Sequence, residues 1–141
     1  MTTLDCVFCD VAAGTGPATV VRQWDDALAI VPLGPVTPGH VLVIPRQHVS
    51  DATVSPVVTA ATMLRAAELA RDIGGDLNII TSKGASATQT VYHLHIHLVP
   101  RRADDRLPLP WTPQHLATGC WTTTTDAAHL ADPTPHEGLP H

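Results

Sequence analysis

The stretch His93-Leu94-His95-Ile96-His97-Leu98-Val99-Pro100 alternates imidazole and aliphatic side chains. A period of two predicts a β-strand, here over Tyr92–Val99. On a strand, residues i, i+2 and i+4 share one face. The three imidazoles then form a row with neighbours about 6.6 Å apart, two residues' rise, while Leu94, Ile96 and Leu98 turn towards a core. Neutral imidazole can be a metal ligand, a general base or a nucleophile. Spacing alone leaves two chemistries open. Three histidines can hold a catalytic metal, or one can attack an electrophile such as phosphorus while the others support it. The bland alternative is a half-exposed strand that merely carries histidines.

Working outward, the loop Gly84-Ala85-Ser86-Ala87-Thr88-Gln89-Thr90-Val91-Tyr92 runs straight into His93. Small and hydroxylated residues let backbone N–H groups approach an anion closely. Gln89 and Thr90 are neutral donors suited to phosphate oxygens. Further upstream, 37–39 reads as a turn and His40–Ile44 as a buried strand. Val20–Trp24 and Ala27–Val31 read as a hairpin across Asp25-Asp26. Ser55-Pro56 starts a helix, with serine as N-cap and proline at the first helical position. Met63, Ala66, Ala67, Ala70 and Ile73 share its apolar face, and Gly74-Gly75 ends it. Leu77–Thr81 is a further strand. Strands clustered around one long helix predict an α+β fold with an antiparallel sheet.

Three cysteines are present, two of them in Cys6-x-x-Cys9. Such a pair can be a redox couple, half of a zinc site, or chance. A redox couple belongs after a strand at a helix start, and this pair lies a few residues from Met1. Cys120 is isolated. With 141 residues the chain has the size of one domain, and 44% hydrophobic residues suffice for a core. Thirteen acids against eight bases give a formal charge of −5. That balance lacks the basic footprint of a nucleic-acid binder. No apolar run approaches membrane-spanning length and no signal-like segment opens the chain, so a cytoplasmic protein is expected. Few cysteines agree with a reducing compartment.

Three segments, CVFCDVAAG (6–14), PGHVLVIPRQH (38–48) and QTVYHLHIHLVPRR (89–102), together resemble the histidine triad (HIT) superfamily of nucleotide hydrolases and transferases. The resemblance spans about residues 4–102. It implies a HIT-like α+β fold: an antiparallel five-stranded sheet, one long helix and a short N-terminal helix, usually as a homodimer with sheets joined across the interface. It implies a HIT domain over 1–111 and a loop-rich tail over 112–141. By the same resemblance, His95 is the nucleophile that attacks the α-phosphorus of a purine nucleotide conjugate. His97 contacts phosphate oxygens and His93 completes the catalytic row. Gln89 and Thr90 lie near the phosphate and leaving group. Phe8 and Leu42 line the base pocket, and Ser82 stands near the phosphate. A structural zinc is implied on Cys6, Cys9, His48 and His93, with no organic cofactor. His40 matches the family's Pro-Gly-His turn and is assigned no chemistry.

The chain departs from that pattern at three places. Pro32 stands where an acidic or amide residue usually holds the ribose. Ser82 replaces Asn or Gln, and Thr88 replaces a common glycine. Two other readings follow. The chain could be a nucleotide-binding adaptor with little turnover, or an enzyme whose three histidines hold a working metal. Arg101 and Arg102 either steer polyphosphate or, as is commoner for basic residues after a strand, are simply solvated, and Trp111 either covers substrate or a subunit surface or simply packs. His129, His136 and His141 are too scattered for a metal site.

Overall fold

A computed structural model describes residues 5–112. Helix α1 is Val7–Ala12, followed by strands β1 (Thr19–Gln23), β2 (Ala27–Val31) and β3 (Val41–Pro45). Helix α2 is Pro56–Ile73, then come β4 (Leu77–Ile80), a 3₁₀ turn at Ala85–Ala87, and β5 (Ile96–Pro100). The five strands form one sheet in the order β1-β2-β3-β5-β4, and every pairing is antiparallel. The α+β architecture with one long helix is as expected. A compact unit ends at Ala103, and a second begins at Asp104. In that second unit Thr112 caps a turn, accepting from the Leu109 N–H at 2.7 Å, and Trp111 is exposed. Cys120, Thr122–Thr125, His129, His136 and His141 lie outside the described residues.

The sheet separates two kinds of surface. Ala27, Ala29, Val41, Val43, Leu94, Ile96 and Leu98 form one buried cluster with Ala66 and Leu69 of α2. The other face carries Leu28, Ile30, Leu42 and Ile44, covered by Cys6, Phe8 and Val11 of the α1 region. Alternation in β2 and β3 thus sends odd positions to α2 and even positions to α1.

Helix α2 begins as expected: Ser55 Oγ accepts from Val58 N, with Pro56 in the first turn and Gly74 at the C-cap with φ +69°. Its buried line is Thr62, Ala66 and Leu69, flanked by Val58, Met63 and Ala70. Ala67 and Ile73 are exposed instead of joining the core. The true stripe is rotated towards Thr62 and Leu69. A threonine is tolerated there because its hydroxyl donates to Val58 O at 2.7 Å.

The expected strand Tyr92–Val99 is shorter than alternation predicts: Tyr92–His95 stand outside the ladder. Strand β3 pairs Val43 with Ile96, so continuing the register would oppose Ile44 to His95 and then Pro45 to Leu94. Proline offers no N–H to a ladder. The Pro45 carbonyl takes His93 Nε2–H at 2.8 Å, and Leu94 N–H goes to Val49 O at 2.7 Å. Strand β1 is an edge, with a bulge between Val20 and Arg22. Arg46 ties three segments together: Nε donates to Trp24 O, Nη1 to Ala12 O and Nη2 to Gln23 Oε1.

Candidate active site and metal centre

The aliphatic half of the alternating run does what its pattern predicts. Leu94, Ile96 and Leu98 are all within 1% of complete burial against α2. The imidazole half meets α1. Phe8 sits edge-on to His95 at 5.2 Å and to His93 at 5.9 Å between ring centroids. His95 and His97 follow at 5.1 Å. Phe8 and Leu42 are both buried in the α1-side cluster, and Leu42 pairs with His97 across the ladder.

His93 is completely buried and faces a metal-type cluster. Its Nδ1 lies 3.4 Å from Cys6 Sγ, 3.5 Å from Cys9 Sγ and 3.2 Å from His48 Nδ1, and Cys9 Sγ lies 3.3 Å from His48 Nδ1. Tetrahedral zinc with thiolate and imidazole ligands separates neighbouring ligand atoms by about 3.3–3.8 Å, given its bond lengths. Four of the six ligand-atom pairs thus already lie at about the length of such a tetrahedron's edge. Each offers one ligand atom, all within 4.8 Å of one another. The Nε2–H bond to Pro45 O leaves the His93 lone pair on Nδ1, where a metal needs it. Burial, then the Cys6 neighbour, pushes the Cys9 thiol up to about 11. A bound cation reverses that preference and takes the thiolate. Cys₂His₂ is a closed set, so the donors fit a structural zinc. The four residues that the resemblance implies for a zinc site are the four brought together here.

His95 is half-buried and its ring is polarised by backbone. Its Nδ1 lies 2.7 Å from His93 O, so Nδ1 carries the proton and Nε2 the lone pair. Its own carbonyl accepts from Thr81 Oγ1 at 2.8 Å. His97 is wired differently. The Val36 N–H donates to His40 Nδ1 at 3.1 Å, which places the His40 proton on Nε2. That Nε2–H points at His97 Nδ1, 2.9 Å away. His97 Nδ1 is therefore an acceptor, and its ring offers N–H from Nε2. Burial, reinforced by His95 and His40, pushes His97 down to about 4, and burial also lowers His40. Both rings are neutral at pH 7, which the relay requires.

His40 and Thr81 are the residues that sequence reasoning missed. A signal for His40 existed. It lies two positions before Leu42, on the same face, and Leu42 opposes His97. Thr81 gave no comparable signal.

The loop before the row differs from expectation in one respect. Gln89 was expected to donate to phosphate, yet it is buried and its carboxamide is engaged internally. Nε2 donates to Ser50 O at 2.7 Å and Val91 O at 3.1 Å, and Oε1 accepts from Gly84 N at 2.8 Å. Thr90 is exposed and Ser82 half-buried. Arg101, for which steering of polyphosphate and simple solvation both stood open, donates to Asn78 Oδ1 at 2.7 Å. No described helix is long and apolar enough to cross a membrane.

The family profile described as HIT domain matches residues 13–104. An uncharacterized HIT-like protein of Mycobacterium tuberculosis is 37% identical over 110 residues, covering 74% of this chain and 76% of its own. A protein of Arabidopsis thaliana named adenylylsulfatase HINT3 is 32% identical over 132 residues, covering 89% of this chain and 66% of its own. Among solved structures, a Zn-bound histidine triad family protein from Mycobacterium smegmatis superposes with TM-score 0.67 at 35% identity, covering 82% of this chain and 93% of its own. A HIT family hydrolase from Clostridium thermocellum gives TM-score 0.66 at 30% identity, covering 73% and 96%.

Proposed function

Because the chain belongs to the HIT domain family, we propose that it cleaves purine nucleotide conjugates at the α-phosphate through a nucleotidyl-histidine intermediate on His95. The observation that carries this reading is the polarity of the His95 ring. With Nδ1–H held by His93 O at 2.7 Å, the Nε2 lone pair is the ring's nucleophile.

In the first step Nε2 forms a bond to phosphorus, and the leaving group departs with the electron pair of its own bond. The ring then carries positive charge, which Nδ1–H shares with the His93 carbonyl. The His97 Nε2–H is the donor to a phosphate oxygen as charge shifts in the transition state. Thr90 supplies a hydroxyl towards the leaving-group side, and Ser82 adds another near the phosphate. Phe8 and Leu42 provide apolar surface to the base. In the second step water attacks phosphorus, the P–N bond breaks, and Nε2 regains its lone pair. The nucleoside monophosphate leaves, and the water proton passes to solvent.

Suitable substrates are dinucleoside polyphosphates, adenylated amines and adenylyl sulfate-type anhydrides; similarity to a protein named as an adenylylsulfatase supports including the last. A panel of these conjugates tests the reading. Quenched reactions analysed by intact mass and peptide mapping should place a nucleotidyl adduct on His95. Absence of turnover on the whole panel, with nucleotide binding retained, would favour the adaptor reading.

A homodimer completes the proposal. Strand β4 is a sheet edge, and Ile79 on it is 42% exposed. Along α2, Val57 and Leu64, two turns apart on one face, are exposed. Apolar side chains on an unpaired strand edge and a neighbouring helix face suit a second copy of the chain. Light scattering should give a mass of twice the chain, and Leu64→Glu should lower it. A monomer at micromolar concentration removes this part of the reading. Reduced thiols at Cys6 and Cys9 suit a cytoplasmic setting.

A further inference from the structure

The turn that leads into the histidine row is held in a conformation its own residues disfavour. Thr88 has φ +70° and ψ +18°, the left-handed region. A β-branched residue rarely enters it, because Cβ crowds the carbonyl that follows. Gly84, with φ +89°, starts the same turn. Such a conformation persists only when its surroundings over-determine it.

Gln89 supplies that determination. Its backbone N–H goes to Gly84 O at 3.1 Å, and its Oε1 takes the Gly84 N–H at 2.8 Å, so both ends of the turn close on one residue. Its Nε2 reaches Val91 O and Ser50 O. Ser50 lies two residues after the metal ligand His48, and Val91 packs on the cluster that holds Phe8. Gln89 is 4% exposed, and each of its two side-chain N–H groups already has an acceptor.

We infer that Gln89 is a positioning residue for the reaction proposed above, not a ligand of the substrate. It holds the strained Gly84–Thr88 turn closed and joins it to the loop that carries His48. A group in contact with phosphate would need an N–H pointing into the site, and this amide has already given both to carbonyls. Its effect reaches the reaction through the loop it shapes and the residues that follow, Thr90 to His93.

The inference rests on the proposed function for the reaction being positioned, whereas the loop mechanics can be read without turnover. The experiment compares wild type, Gln89→Ala, Thr88→Gly and the double variant, using a fluorogenic adenosine phosphoramidate and amide hydrogen exchange. Gln89→Ala should lower kcat about tenfold with KM within about twofold, and should speed Gly84 amide exchange about tenfold or more. Thr88→Gly relaxes the turn, so adding it to Gln89→Ala should restore kcat by about threefold or more, a coupling that a lost substrate contact cannot produce. Raised KM, unchanged Gly84 exchange and no recovery from Thr88→Gly would overturn the inference. If Gln89→Ala does not fold, wild type still decides: a Gly84 amide that exchanges freely in the folded protein is incompatible with the closed turn. Failure of wild type to cleave any conjugate counts against the proposed function and leaves the exchange result standing.

Discussion

His93 is completely buried, with Nδ1 3.2–3.5 Å from two sulfurs and a second imidazole. His97, four residues on, is half-buried, with Nδ1 2.9 Å from the Nε2 of His40. The residue type and the protonated nitrogen are the same, and what differs is which of the two nitrogens the surroundings occupy. At His93 the Pro45 carbonyl holds the proton on Nε2, which turns a lone pair to the metal cluster. At His97 the His40 relay also keeps the proton on Nε2, and there it is the proton that faces outward. His95 stands between them with the reverse tautomer, set by a carbonyl of His93. The chemistry of an imidazole row is therefore decided by whichever group holds the far nitrogen of each ring.

The comparison breaks most severely at its middle member. His95→Asn removes the nucleophile, so turnover should fall by about a thousandfold or more while nucleotide binding remains. Steady-state kinetics and calorimetry on the same preparation check both halves. The metal end is next. His48→Ala deletes a ligand outside the row and should lower the melting temperature by about 10 °C or more, because metal binding is coupled to folding. Wild type purified without added zinc should carry about one equivalent per chain, and the variant far less. An unchanged melting temperature would separate the cluster from stability.

The substrate end should respond more gently. His40→Ala removes the donor that fixes His97, and kcat should drop by about tenfold. Nitrogen chemical shifts of the His97 ring should then report mixed tautomers; a single unchanged tautomer argues against the relay. The smallest effect concerns pH. His97 binds a proton at about 4 in the folded protein and near 6.5 when unfolded. Between those values the unfolded chain holds a proton that the folded chain lacks, so stability falls as pH drops through that window. His97→Asn lacks this contribution. Between pH 6.5 and 4.5 its melting temperature should fall less than that of wild type, by about 5 °C.

Much of this site was legible before folding. The alternation in 93–98 assigned the aliphatic face correctly, because every even residue there meets α2. Cys6, Cys9, His48 and His93 could be grouped because the resemblance supplied their distant partners. Pro45 hid the rest. Its missing N–H cuts the ladder at Ile96 and frees the preceding residues to bond with Val49 and with their own carbonyls. The phase of α2 was misjudged at Ala67 and Ile73 because alanine-rich helices carry weak contrast between faces. Gln89 has the same formula whether its amide faces phosphate or Ser50 O, so only packing could distinguish the two.

Arg46 gives the N-terminal helix a second mooring. The cysteines secure the start of α1, and the bond from Arg46 Nη1 to Ala12 O at 3.0 Å secures its end. Held at both ends, the helix keeps Phe8 between them packed on the sheet and edge-on to the His95 ring.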